Sequence, residues 1–201
     1  MRQISTKQYF EESLKEICLK KSFDSISVRD IAENCGLSTR TFYNHFKDKR
    51  DLVLWIFTSK VEEFVETNPS SNIIVIYKYI EEIMINDKEL YISIMESKIF
   101  GKDYFNDVIS YLQKRTIQYI KDKSKVNEVP EEIVFSMELF YQGGFHLGYR
   151  YLKGDLNLSI DNYLNYLISS MPSVLKYSLL DDNNCIDVFS AKTDFYQKDV
   201  C

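Results

Sequence analysis

The chain has 201 residues, 45% apolar, 14% aromatic and 27% charged, with only 6 Gly and 3 Pro; collagen-like, low-complexity and wholly disordered chains are excluded, and one large domain or a small domain joined to a larger one is expected. No window holds 18 uninterrupted apolar residues, and Met1 to Lys21 carries charges throughout without an apolar signal core, so neither a membrane span nor secretion is expected, and the expected compartment is the cytoplasm. The net charge of -5 hides a division: residues 1–60 carry 11 Lys and Arg against 8 Asp and Glu, residues 61–201 carry 14 against 22, as suits a small basic part that touches phosphates and an acidic remainder that avoids them.

Ser5 followed by Gln8 fits a capping box opening a first helix over about 6–21, whose apolar stripe is Phe10, Leu14, Ile17 and Cys18. Ser27 followed by Asp30 opens a second, with Val28, Ile31, Ala32 and Cys35 on the i, i+3, i+4, i+7 template, and Gly36 stops it. Ser38 caps a third over about 39–45, with Leu37, Phe42 and Phe46 turned inward. Asp48 and Asp51 start a fourth that runs through Leu52, Ile56 and Phe57 toward Val65. The stretch Asn68-Pro69-Ser70-Ser71-Asn72 is the clearest break. It divides the chain into a head, 1–67, a body, 68–180, and a tail, 181–201, that is either a flexible end or a strap.

Helical patterns in the body cover about 73–86, 88–99, 103–123, 131–152 and 160–171, with turn chemistry at Gly101, Pro130 and Gly154. Pro130 before Glu131 and Glu132 suits a helix start. The β-branched run Ile73 to Ile76 could pass for a strand, but the helical period continues through Ile80 and Ile83. Pro172 breaks or kinks the last helix, which resumes toward Leu180. The expected fold is all-α.

Cys18, Cys35, Cys185 and Cys201 stand far apart, and His45 and His146 are the only histidines. Zinc-ligand spacing is absent, and neither a metal nor a cofactor is expected. Cys18 and Cys35 read as small buried apolar residues.

Residues 27–46, SVRDIAENCGLSTRTFYNHF, carry the function. A helix-turn-helix needs a small residue at the helix crossing, a Gly in the turn and apolar residues on the inner side of its second helix. Ala32, Gly36, Leu37 and Phe42 meet those needs, in a chain with only one other Ala, Ala191. Thr39, Arg40, Thr41, Asn44 and His45 form a polar face able to donate to and accept from base edges, Arg40 by a bidentate contact to guanine and Thr41 by a thymine methyl or a phosphate. Lys47, Lys49 and Arg50 follow as sources of sequence-independent attraction to the backbone. The plain alternative is a solvated face of a small bundle.

Over residues 5–65 this pattern, with SVRDIAENCGLSTRTFYNHFKDKRDL and the Tyr-x-x-Phe of Tyr43 and Phe46 followed by Lys49 and Leu52, resembles the DNA-binding region of the tetracycline-repressor (TetR) family. The resemblance implies an all-helical homodimer with a larger C-terminal ligand-binding and dimerisation domain. It also implies that Ser27 and Tyr43 touch phosphate, that Thr39 to Asn44 face bases, that Phe46 is core and that Lys49 holds backbone phosphate. Many members have Gly or Ala where this chain has Arg40, so base preference or depth of insertion differs here. STRTFYNHFKDKRDL with Trp55 is similar to a subgroup that includes regulators of dihydroxyacetone kinase genes, some of which activate.

In the body, Gly144 and Gly148 lie one turn apart in a helix, where each costs about 0.5–1 kcal/mol relative to Ala. They imply close approach of another backbone or clearance for a ligand. By the resemblance, the last two long helices form a dimer interface. Phe100, Tyr104, Phe105, Tyr111, Tyr119, Phe140, Tyr141 and Tyr149 are core or line an effector pocket. His146 reads as a buried, satisfied imidazole. No phosphate loop, nucleophile elbow or metal pair is present, so no enzyme is expected. The expectation is a sequence-specific transcriptional regulator, a repressor in the first instance, binding double-stranded DNA at an inverted repeat as a homodimer and open to a small-molecule effector, away from membranes. The alternative is a helical coactivator that binds a partner regulator.

Overall fold

The computed structural model describes residues 5–180, which form ten α-helices and one 3-10 turn. The expected tail, Cys185 and Cys201 lie outside the described residues.

The head holds α1 (Thr6–Cys18), α2 (Val28–Asn34), α3 (Thr39–Tyr43) and α4 (Lys49–Thr67). Both capping boxes form, between Ser5 and Gln8 and between Ser27 and Asp30. Each satisfies donors that a helix start leaves open. α1 turns Phe10, Leu14, Ile17 and Cys18 inward, and Ser13 Oγ donates to the buried Ile31 carbonyl at 2.7 Å, fixing α1 on α2. Phe10 meets Phe42 edge-on at 5.1 Å between centroids and Phe46 at 6.3 Å.

The first helix ends at Cys18 rather than near Lys21, because a 3-10 turn, Phe23–Ser25, follows it. That turn sinks the Phe23 ring against Phe100 (5.6 Å), and the Phe23 N–H donates to Ser93 Oγ at 2.9 Å. A continued helix could not bury this ring.

The body holds α5 (Ile73–Asn86), α6 (Lys88–Met95), α7 (Gly101–Ser124), α8 (Glu131–Leu152), α9 (Ile160–Ser169) and α10 (Ser173–Leu180). The β-branched run is helical: Asn72 caps it, accepting from the Val75 N–H at 3.1 Å, and Ile73, Tyr77, Ile80, Ile83 and Met84 are buried along one face. α6 stops at Met95, short of Ile99, and a tight joint leads to α7. A Cβ on Gly101 would stand 2.6 Å from the Met95 carbonyl oxygen, so the joint requires a residue without one. α8 buries Ile133, Met137, Tyr141, Phe145 and Leu152 at helical spacing. Phe100, Tyr104 and Tyr141 are core, and Tyr141 shares a buried hydroxyl cluster with Tyr77 and Thr116.

Two body readings change. Gly144 and Gly148 face side chains and not a backbone: their Cβ positions lie 3.5 Å from Leu167 Cδ1 and 3.3 Å from the Tyr163 hydroxyl. His146 is exposed, because Tyr141, Gly144, Phe145 and Gly148 occupy the inward positions around it.

Tyr163, stacked on Tyr151 (4.3 Å), donates to Glu81 Oε2 at 2.9 Å. Burial pushes the Glu81 carboxyl up to about 7, against the pull of that hydrogen bond. The folded chain therefore holds this proton more tightly than the unfolded chain. The associated stabilisation is present below the unfolded value of about 4.3 and is lost as pH rises through about 7. In thermal melts at pH 5 and pH 8, Glu81→Gln should gain on the parent protein at the higher pH; equal gaps would contradict the assignment.

Head and body share one core and several polar ties. Lys15 and Lys60 each face both Glu11 and Asp87, with N–O distances of 2.5–3.2 Å, closing a ring of four charges between α1, α4 and the α5–α6 junction. Ser97 and the Lys98 N–H hold Asp24. Arg50 reaches Asp103 at 3.3 Å and Asp107 at 3.4 Å on α7.

Candidate nucleic-acid interface

Two residues after Ala32, α2 ends at Asn34 with Cys35 as its C-cap, and Gly36 takes φ +70. The Leu37 N–H returns to the Ala32 carbonyl at 2.9 Å and the Gly36 N–H to Glu33 at 3.1 Å, a glycine-dependent helix stop that needs the left-handed backbone. Ser38 then caps α3, its Oγ accepting from the Thr41 N–H at 3.0 Å and lying 2.9 Å from the Thr41 hydroxyl. The chain thus reverses in a few residues and presents α3 on the outside of α2.

Phe42 is fully buried and Phe46 nearly so, anchoring the inner side of this segment. Thr39, Arg40, Tyr43, Asn44 and His45 are exposed, and Thr41 is partly covered by its contact with Ser38. The helix itself is one residue short of Asn44, which caps it, so His45 sits in the turn that follows. Lys47 is exposed beside them, and among the described residues no carboxylate pairs with its ammonium.

Three expected contacts look different in three dimensions. Lys49, expected on a phosphate, points inward: its Nζ donates to the carbonyls of Phe23 (2.7 Å) and Ile26 (2.8 Å) and lies 4.4 Å from the centre of the Phe23 ring. Burial lowers this ammonium below its ordinary value, opposed by the charge of Asp24. Arg50, expected among the backbone-attracting cations, is turned onto α7 and over the Phe100 ring. Ser27 is exposed, but its hydroxyl donates to Asp30 Oδ2 at 2.6 Å and accepts the Asp30 N–H at 3.1 Å. The Ser27 hydroxyl and N–H hold the Asp30 carboxyl well below the usual carboxylate range, with help from Lys21.

Lys7 adds a further cation beside this face. Its Nζ lies 5.4 Å from the Phe46 ring centre and 5.3 Å from that of Trp55. Nothing local in the sequence signals this, because the rings come from the turn after α3 and from α4. Cys18 is buried as expected, whereas Cys35 is only partly so. Among the described residues no group of His, Cys, Asp and Glu could hold a metal ion, and no helix is long and apolar enough to cross a membrane.

Residues 15–56 match the family model described as bacterial regulatory proteins, tetR family. The chain is 23% identical over 96 residues to the HTH-type dhaKLM operon transcriptional activator DhaS of Lactococcus lactis subsp. lactis (strain IL1403), covering 45% of this chain and 51% of that protein. It is 31% identical over 62 residues to the HTH-type transcriptional regulator SAB2452 of Staphylococcus aureus (strain bovine RF122 / ET3-1), covering 31% and 34% respectively. The aligned region thus spans about half the length of the first relative and a third of the second.

Among solved structures, the dihydroxyacetone kinase operon activator DhaS superposes with TM-score 0.62 at 16% identity, covering 87% of this chain and 98% of that one. The fatty acid degradation regulator FadR from Bacillus halodurans gives TM-score 0.51 at 14% identity, covering 90% and 98%. At these identities the superpositions speak for the fold; the sequence match falls on the helix-turn-helix built from α2 and α3. The match at residues 15–56 and the shared all-α fold make the chain similar to TetR-family regulators, DhaS among them.

Proposed function

We propose that the chain works as a homodimer on an inverted-repeat operator. Thr39, Arg40, Thr41, Asn44 and His45 meet base edges, and Tyr43 and Lys47 meet phosphates. Ser27 joins them once its hydroxyl turns from Asp30, and Lys49 acts from behind as a positioning residue. The observation that carries the reading is the outward polar face of residues 39–45 on a segment whose inner side is locked by Phe42 and Phe46.

Dimerisation is supported by apolar side chains left uncovered on the last helices: Phe135 (69% exposed), Leu139 (62%) and Leu147 on α8, Tyr166 on α9 and Tyr177 on α10. Gly143, between Leu139 and Leu147, has open space before it and admits a second helix closely. Such a patch suits a second copy of the same surface. Two heads on a twofold axis then read half-sites about 34–36 Å apart, or a multiple of that.

The test is a retardation assay with the purified chain on the intergenic DNA beside its gene, repeated across salt concentrations. Binding without a partner protein, falling steeply with salt, is expected. No retardation until a partner is added would favour the coactivator reading. Arg40→Ala should change preference among operator variants by about 1–3 kcal/mol at one base pair while leaving the melting temperature unchanged; a uniform loss on all DNA would remove Arg40 from the base-reading set.

Activation is the second reading of sign. Both DhaS matches are named activators, whereas repression was the first expectation from the family resemblance. Deleting the gene separates them, since target transcripts rise after loss of a repressor and fall after loss of an activator.

A further inference from the structure

Glu11, Glu62, Asp87 and Glu96 each face a Lys or Arg at 2.5–3.2 Å. Glu81 does not: among the described residues its carboxylate has the Tyr163 hydroxyl and no cation. It borders a cavity of about 30 Å³ walled by Tyr77, Phe140, Tyr141, Phe145 and Gly144. That space exceeds what a single water-sized group requires. Aromatic faces around a carboxylate form a surround suited to an organic cation.

The polar atoms of the wall are already engaged with one another. Tyr77, Tyr141 and Thr116 exchange hydrogen bonds, so they leave the carboxylate as the group without a counter-charge. On the other side of Tyr77, Ile80 and Leu112, which line both spaces, lies a second cavity of about 180 Å³ walled mainly by Val61, Val65, Ile73 and Ile76. Arg115, Thr116, Gln118, Tyr119 and Asp122 complete its lining, with Asp122 accepting from Gln118 Nε2 at 2.7 Å. Its one Arg, Arg115, is occupied by Glu62 at 3.0 Å, so this cavity offers no free cation for an anionic ligand.

We propose that the body binds a monoalkyl ammonium compound, its ammonium at Glu81 within the aromatic wall and its hydrocarbon chain along Val61, Val65, Ile73 and Ile76 of the larger cavity. The neutral Gly144 gives the head group its room, since any side chain there projects toward Leu167 across the small cavity. Passage of the chain between the two cavities parts the Tyr77–Tyr141 contact. The inference rests on reading the body as an effector domain, and it is tested on the protein without DNA, so its failure is separate from failure of operator binding.

The experiment is calorimetric titration of the full chain with hexylammonium chloride and, in parallel, with 1-hexanol and sodium hexanoate. Hexylammonium should bind at least tenfold more tightly than either. Glu81→Gln should abolish that advantage while leaving hexanol affinity within twofold. Gly144→Ala, which meets only an ordinary contact at Leu167, should remain folded and weaken hexylammonium at least fivefold. Lack of hexylammonium binding, equal binding of hexanol, tighter binding of hexanoate, or retention of full amine affinity by either variant would each overturn the proposal. If Glu81→Gln does not fold, the ligand series and Gly144→Ala decide. Operator retardation by the amine-free protein, measured separately, reports on the regulator reading alone.

Discussion

Phe42→Ala is expected to abolish operator retardation and to lower the melting temperature while leaving most of the helical circular dichroism in place. The ring is fully buried and touches Phe10 at 5.1 Å and Phe46 at 5.5 Å, so it is the hub on which α3 is mounted. Truncating a buried Phe costs about 3–5 kcal/mol, because the transfer energy is lost and the cavity closes only partly. For a chain of this size each kcal/mol moves the transition by about 2–4 °C, so a drop of roughly 6–20 °C is expected. The loss of DNA binding follows because a polar face without its inner anchor has no fixed orientation toward a groove. Melting at the parent temperature with intact binding would show that α3 is held by something other than this aromatic cluster.

Lys49→Ala should weaken binding to every DNA sequence and also lower stability, and the pair of effects separates its two possible roles. The ammonium satisfies two backbone carbonyls, those of Phe23 and Ile26, in the 3-10 turn and just beyond it. Leaving buried acceptors without a partner costs about 1–3 kcal/mol. The turn they belong to carries the chain from α1 into the Ser27 cap of α2, so its loosening misplaces the reading head as a whole. A lost phosphate contact would reduce the slope of log affinity against log salt by about one and leave the melting temperature alone. A fall in stability with an unchanged salt slope is the result expected of an inward lysine; the opposite pair would restore Lys49 to the phosphate backbone.

Local chemistry made the head legible in sequence. Ser27 and Asp30, Ser38 and Thr41, and Gly36 with its carbonyl partners lie within five residues of one another, and each forms as its spacing implies. The body helices were legible for the same reason, with α8 matching its expected range because Pro130 and the apolar spacing mark both ends. What could not be read depends on distant partners. Lys49 finds carbonyls 23 and 26 residues away, and Arg50 finds Asp107 at a separation of 57. Neither separation leaves a periodic trace. The exposure of His146 is not legible in sequence because α8 has apolar residues on two faces, one packed inward and one, with Phe135 and Leu139, left uncovered. Periodicity alone does not say on which side of such a helix a lone imidazole falls.

The ring of Lys15, Lys60, Glu11 and Asp87, together with the ties at Asp24 and Arg50, leaves the N-terminal unit no free hinge of its own. Any tilt of the body would therefore carry α3 with it as a stiff lever would. In the homodimer proposed above, such a lever would turn small repacking among the inner helices into a change of reach along the duplex, a switch of span and not of folding.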